Sequence, residues 1–147
     1  MPEPTMKTVE IYVGGVCHGN PGDGGWAAVL RMGRHEKVLS GAEARTTANR
    51  MDLQALTGVL RVLIEPCAVS VHASSRFLAD GFARWSGLWT SQGWSSTGKR
   101  PVNNAELWHT LIGLAQVHQM AFVPPGESQA PDMARAVQLA RDAAGAV

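Results

Sequence analysis

Chemistry in this chain would have to come from a few polar residues set among apolar ones. In Val69-Ser-Val-His-Ala-Ser74, His72 and Ser74 stand two residues apart. On a strand they would face the same side. A histidine beside carboxylates is a donor set that suits zinc or another transition metal. Asp23, Asp80, Glu106 and Asp132 read as solvated surface residues rather than ligands. Cys17 and Cys67 lack CxxC spacing and read as free thiols of a reducing compartment, not as a disulfide or a metal pair.

The charge balance narrows the partners. The 147 residues carry 13 basic and 12 acidic side chains, a formal charge of +1. A dedicated electrostatic DNA binder is usually far more basic. Nucleic-acid affinity would have to come from a local groove. Met1 to Thr8 has no apolar core and does not read as a signal peptide. No apolar run approaches membrane-spanning length. The expectation is a soluble, cytoplasmic protein with no membrane partner.

The elements that must position these residues follow from periodicity. Val9, Ile11 and Val13 share one face of a first strand, with Glu10 and Tyr12 on the other. Gly19-Asn-Pro-Gly22 and Asp23-Gly-Gly25 are turn chemistry. Residues 26–31 and 37–42 read as two further strands of an antiparallel meander. Thr47 lies in a helix N-cap region, before Met51, Ala55, Leu56, Val59, Leu60 and Leu63 at helical spacing. Residues 69–73 predict a strand reached by a parallel crossover, and 77–88 a helix with an aromatic face at Phe82, Trp85 and Trp89. Residues 91–101 read as a polar loop, Asn104 as the start of another helix, and 117–123 as a last strand. Residues 124–131 hold three prolines and must be loop. Met133, Val137, Ala140 and Ala144 predict the stripe of a final helix. Residues 1–8 are expected to be a flexible N-terminal segment and 9–147 a single domain.

Four segments resemble the type I ribonuclease H family: Val9 to Gly22, Arg45 to Ala55, Val71 to Gly81, and Pro131 to Arg141. The resemblance runs over nearly the whole chain. It implies an α/β ribonuclease H-like fold, with a five-stranded mixed sheet (three antiparallel strands, then parallel crossovers) flanked by helices. It also implies a Mg²⁺-dependent site that cleaves the RNA strand of RNA–DNA hybrids, each segment supplying one carboxylate. Here those four positions are Gly14, Asp52, Ser74 and Val137. Asp52 is the only retained acid, one methylene shorter than the family's glutamate, which withdraws its carboxylate by roughly an ångström and a half. A mobile histidine of the family matches Glu127. One short carboxylate does not assemble two Mg²⁺ ions, so the expectation is no cofactor and no metal. A set of Asp52, His72 and Glu127 rebuilt for a transition metal is the less favoured alternative.

The resemblance also marks a nucleic-acid groove. Arg45, Thr47 and Asn104 match a pocket that grips a DNA-strand phosphate. Phe77 and Trp85 match aromatics of the DNA-strand channel, with core packing as the plain alternative. Asn20 and Asn49 match positions near the RNA minor groove. Ala48 replaces one of a pair of asparagines, and Arg76 replaces a glutamine and could add a phosphate contact. Of the family's basic handle only Lys99 and Arg100 remain. These substitutions lead to the expectation of a catalytically inactive ribonuclease H-like protein that binds hybrid, or another duplex, weakly and without sequence preference. Two alternatives stand beside it. One is a protein-interaction or structural module using the former active-site face, and the other is a metal-dependent ribonuclease H with an atypical site around Asp52.

Overall fold

The computed structural model describes residues 6–19, 21–89, 95–96, 100–101, 104–126 and 131–145. Strand β1 (Lys7–Gly19) pairs antiparallel with β2 (Gly22–Met32), and β2 with β3 (His35–Thr46). All three are longer than the apolar alternation suggests. The end of β1 and the start of β2 that pair with each other are glycine-rich, which leaves little side-chain pattern to read there. Gly33, at φ +61°, allows the tight turn between β2 and β3. Lys7 and Thr8, expected in a flexible segment, pair with Cys67 and Ala68 and so belong to β1.

Helix α1 (Ala48–Leu60) returns the chain to β4 (Cys67–Ala73), which lies parallel to β1. Thr47 caps α1 as predicted, its Oγ1 accepting from the Arg50 N–H at 3.2 Å. Helices α2 (Phe77–Trp89) and α3 (Ala105–Ala115) then lead to β7 (Gln119–Val123), parallel to β4. Between them β5 (Ser95–Ser96) and β6 (Arg100–Pro101) form a small separate ladder inside the predicted loop. The main sheet has five strands in the order β3-β2-β1-β4-β7, the predicted mixed arrangement.

Strand alternation divides the core into two layers. Val9, Ile11 and Val13 face α1 and α3, packing with Leu53, Leu56 and Ile112. Tyr12 points the other way, onto Val29 and Ala136 of α4 (Pro131–Gly145). The buried stripe of α4 is Asp132, Ala136, Ala140 and Ala144: Ala140 and Ala144 are as predicted, while Met133 and Val137 give way to their neighbours Asp132 and Ala136. Small residues bring the helix backbone down onto the sheet. A Cβ on Gly14 would stand 2.7 Å from the Ala136 carbonyl oxygen. Val137 is therefore half-buried beside the contact. The space opposite Gly14 is filled by α4 itself. No helix among the described residues is long and apolar enough to cross a membrane.

Candidate functional site

The family's acidic positions fall on both sides of the sheet. Gly14 faces α4, with Val137 close by. Ser74 is exposed just past the end of β4. Asp52 lies on the α1 side, where Gly15 lets the helix approach: a Cβ there would stand 2.6 Å from Asp52 Oδ1. Asp52 is 4% exposed, and its Oδ1 has no hydrogen-bond partner among the described residues. Burial without a partner penalises the charged form, and the carboxyl is pushed up from 3.8 to about 7. Glu127 lies outside the described residues.

His72 does not join Asp52. It is 8% exposed, stacks on Tyr12 with ring centroids 4.3 Å apart, and places Nε2 2.6 Å from Glu10 Oε1. Tyr12 packs on the α4 side, so the sheet separates His72 from Asp52. Among the described residues no three His, Cys, Asp or Glu side chains gather as a metal site. The described residues thus do not fit the pair of Mg²⁺ ions that the resemblance implies. One position has no side chain, one is apolar, one is a neutral hydroxyl, and the remaining carboxyl is buried and resists ionisation.

Asp132 also departs from its reading as a surface acid. It is 6% exposed, and Arg31 binds it through both guanidinium Nε and Nη2. That hydrogen bonding holds its carboxyl below the ordinary range. Glu36 bridges Arg31 and Arg135, at 2.9 Å from each. This network pins the start of α4 to β2 and β3. Of the other acids read as surface residues, Asp23 and Asp80 are exposed, and Glu106 is exposed but ion-paired.

The matched residues Arg45, Thr47 and Asn104 stand at the ends of three elements. β3 ends beside the start of α1, and Asn104 is the N-cap of α3. Among the described residues the only non-glycines with positive φ are Arg45 (53°) and Asn104 (59°), two of the three predicted pocket residues. Such backbone strain in a non-glycine persists where surrounding structure enforces it, and it clusters at functional sites. Arg45 is exposed and Thr47 half-buried. Arg50, which the sequence reading passed over, joins the corner: it donates to Glu43 Oε1 at 2.8 Å, Asn104 Oδ1 at 3.1 Å and Glu106 Oε2 at 3.1 Å. Its position was a usable signal, because a cation in a helix's first turn is disfavoured by the helix dipole.

The remaining groove residues are placed less uniformly. A shallow pocket beside α1 is lined by Cys17, Gly19, Thr47, Ala48 and Asn49. Cys17 is a free thiol that donates to the carbonyls of Gly22 and Thr46. Arg76 is exposed and pairs with Asp80 at 3.6 Å. Phe77 is half-buried against Trp108, with centroids 5.6 Å apart, and Trp85 is half-buried with the Arg84 guanidinium 5.5 Å from its ring centre. Asn20 lies outside the described residues.

The profile of the RNase H family matches residues 6–144. The chain belongs to the ribonuclease H family. A relative from Novosphingobium aromaticivorans named Ribonuclease H is 43% identical over 140 residues, covering 95% of this chain and 98% of its own. Another Ribonuclease H, from Erythrobacter litoralis, is 45% identical over 140 residues, covering 95% and 97%. Among solved structures, the fold is similar to LC9-RNase H1, described as a type 1 RNase H with the type 2 active-site motif. The TM-score is 0.80 at 23% identity, covering 99% of this chain and 75% of that one. LC11-RNase H1, solved in complex with RNA/DNA hybrid, superposes at a TM-score of 0.65 and 22% identity over 94% and 97%.

These relatives correct the expectation drawn from the lost carboxylates. Proteins nearly half identical along almost the whole chain carry the name Ribonuclease H. A catalytically inactive ribonuclease H-like protein is therefore not the reading they favour. They favour its alternative, a ribonuclease H with an atypical site around Asp52. Nothing in the comparisons supports a protein-docking role for this face.

Proposed function

We propose that this protein is a ribonuclease H that cleaves the RNA strand of RNA–DNA hybrids, with Asp52 as the ionisable group of an atypical site. The observation that carries the reading is the 43–45% identity to proteins named Ribonuclease H over 95% of the chain. Arg45, Thr47 and Asn104 support it, because Arg50 links Asn104 to the strand that carries Arg45 and these residues have the donors to hold a duplex by a phosphate. That LC11-RNase H1 has been solved on RNA/DNA hybrid agrees with the same substrate class.

Arg45 brings a charged, forked donor to phosphate oxygens, and Asn104 an amide. Because these contacts are to backbone, binding has no base preference and weakens steeply with salt. Near-neutral charge keeps the overall affinity modest. Asp52 lies one turn beyond Ala48, which lines the pocket beside α1. A carboxyl that titrates near about 7 is divided between its acid and base forms at neutral pH. Such a group accepts and returns a proton most effectively, and Oδ1, which has no partner, is the atom that would hold it.

The test is cleavage of a hybrid with labelled RNA, with Mg²⁺, with Mn²⁺ and with chelator. Wild type, Asp52→Asn and a mock purification are compared. Cleavage above the mock that is lost in Asp52→Asn is expected. Activity no greater than the mock under every cation condition would rule the reading out.

A further inference from the structure

We infer that Arg50 is the positioning residue of the phosphate corner, fixing the Asn104 amide and the end of β3 that carries Arg45 so that both donors meet one phosphate. The inference rests on the hybrid reading above. Arg50 sits in the first turn of α1, and that turn contains no acid to offset it. The unfavourable helix end is answered by three acceptors outside the helix. Glu43 lies on β3 two residues before Arg45, while Asn104 and Glu106 belong to the start of α3. One planar fork thus ties together the two walls of the pocket. Gln54 Nε2 supports Glu43 from the far side, donating to Oε2 at 3.4 Å. The guanidinium also holds the Glu106 carboxyl below its ordinary range.

Asn104 shows what the clamp achieves. An asparagine at an N-cap normally turns its side-chain oxygen back onto the helix N–H groups. Asn104 makes no such capping bond and holds φ +59° instead. Its oxygen accepts from Arg50. A guanidinium has donors only, so it must take the amide by its oxygen. The Nδ2 end is then turned away from Arg50 and left to donate. Helix α3 forgoes a cap, and the backbone accepts strain, to hold one amide in one orientation. That combination marks a positioned binding group rather than a helix stabiliser.

Arg50 differs from a direct phosphate ligand in a measurable way. Its charge is already met by Glu43 and Glu106. Removing it should weaken binding without removing a released counterion. Arg50→Lys keeps the charge and helical propensity but cannot reach three acceptors with a fork. Binding of a fluorescently labelled RNA–DNA hybrid is measured in chelator across a salt series for wild type, Arg50→Lys, Asn104→Ala and the double variant. Melting curves and the ¹⁵N side-chain amide signals of the free proteins are recorded alongside. The expected result is about tenfold weaker binding for Arg50→Lys with an unchanged salt slope, and a clearly smaller loss when it is added to Asn104→Ala, because only the Arg45 side of the clamp is then left to lose. The Asn104 side-chain amide signal should shift in Arg50→Lys without hybrid present. Additive losses, a salt slope lower by about one contact, or an unmoved Asn104 signal would each overturn the positioning role while leaving the hybrid reading intact. No binding by wild type, even at low salt, would overturn the hybrid reading and this inference with it.

Discussion

The two halves of the site have opposite characters. At the proposed phosphate corner, two of the three matched residues, Arg45 and Asn104, occupy positive φ at a cost in backbone strain. At the acid positions, Gly14 has no side chain, Val137 is apolar, Ser74 is an exposed hydroxyl and Asp52 is buried, and the packing is close where α4 rests on Gly14. Strain retained at a surface corner fits the phosphate contact proposed for it. Close packing over the former carboxylate positions implies that the family's charge cluster cannot simply be restored by substitution.

The largest effect is expected from forcing the centre back toward the family pattern. Gly14→Asp places a Cβ 2.7 Å from the Ala136 carbonyl oxygen and a charge against α4. Overpacking alone costs about 1–3 kcal/mol, and burying the carboxylate adds to it. Chemical denaturation should show a loss above about 3 kcal/mol. A variant as stable as wild type would break the contrast, because it would mean that α4 yields easily.

Asp52 is expected to produce the next largest effect, and its sign is opposite to that of most acids. Its folded carboxyl titrates near about 7 against 3.8 when free, so between those values the folded state keeps a proton that the unfolded state has lost. The stabilising difference is complete at low pH and is lost as pH rises from about 4 to about 7. Asp132, Glu36 and Glu106, all held below the ordinary range, act in the opposite direction at lower pH. The comparison with Asp52→Asn isolates the one group. That variant should match wild type near about pH 4 and exceed it by roughly 3 kcal/mol at about pH 8. Equal stabilities at both pH values would mean that Asp52 is solvated.

Arg45→Gly separates strain from grip. Glycine relieves the positive φ, so the free protein should gain about 0.5–1 kcal/mol. Hybrid affinity should fall by about 1–2 kcal/mol, with the salt slope reduced by about one contact. Gained stability without lost affinity would show that the strain serves no binding function. Thr47→Ala should have the smallest effect, about 1 kcal/mol of stability from the lost cap, read by thermal melting.

How far the sequence could be read depended on whether a signal was local. The Thr47 cap and the alternation of Val9, Ile11 and Val13 act over a few residues, and both were legible. The first half of the α4 stripe was misplaced by one residue because Val137 and Met133 are more apolar than Ala136, while Ala140 and Ala144 were placed correctly. What buries Ala136 is close backbone approach to Gly14, a property of two distant glycine and alanine positions. Asp132 read as a surface acid because its partner, Arg31, is remote in sequence. At the proposed phosphate corner the resemblance marked Arg45, Thr47 and Asn104 but not Arg50, which links Asn104 to β3. His72 did not join Asp52, since its facing Ser74 on one strand said nothing about which side of the sheet α1 would occupy. The inactive reading failed for another reason: missing ligands describe one known way of doing the chemistry, not the whole family's range.

The central claim is that the buried carboxyl of Asp52 serves hydrolysis of RNA–DNA hybrid. The most direct measurement is the initial rate of hybrid cleavage from about pH 5 to about pH 9 for wild type and Asp52→Asn, with a mock purification beside them. The account predicts a wild-type rate that changes through about pH 7, where Asp52 titrates, and a variant slower by about a hundredfold or more. An Asp52→Asn protein that cleaves as fast as wild type, with the same pH profile, would contradict it.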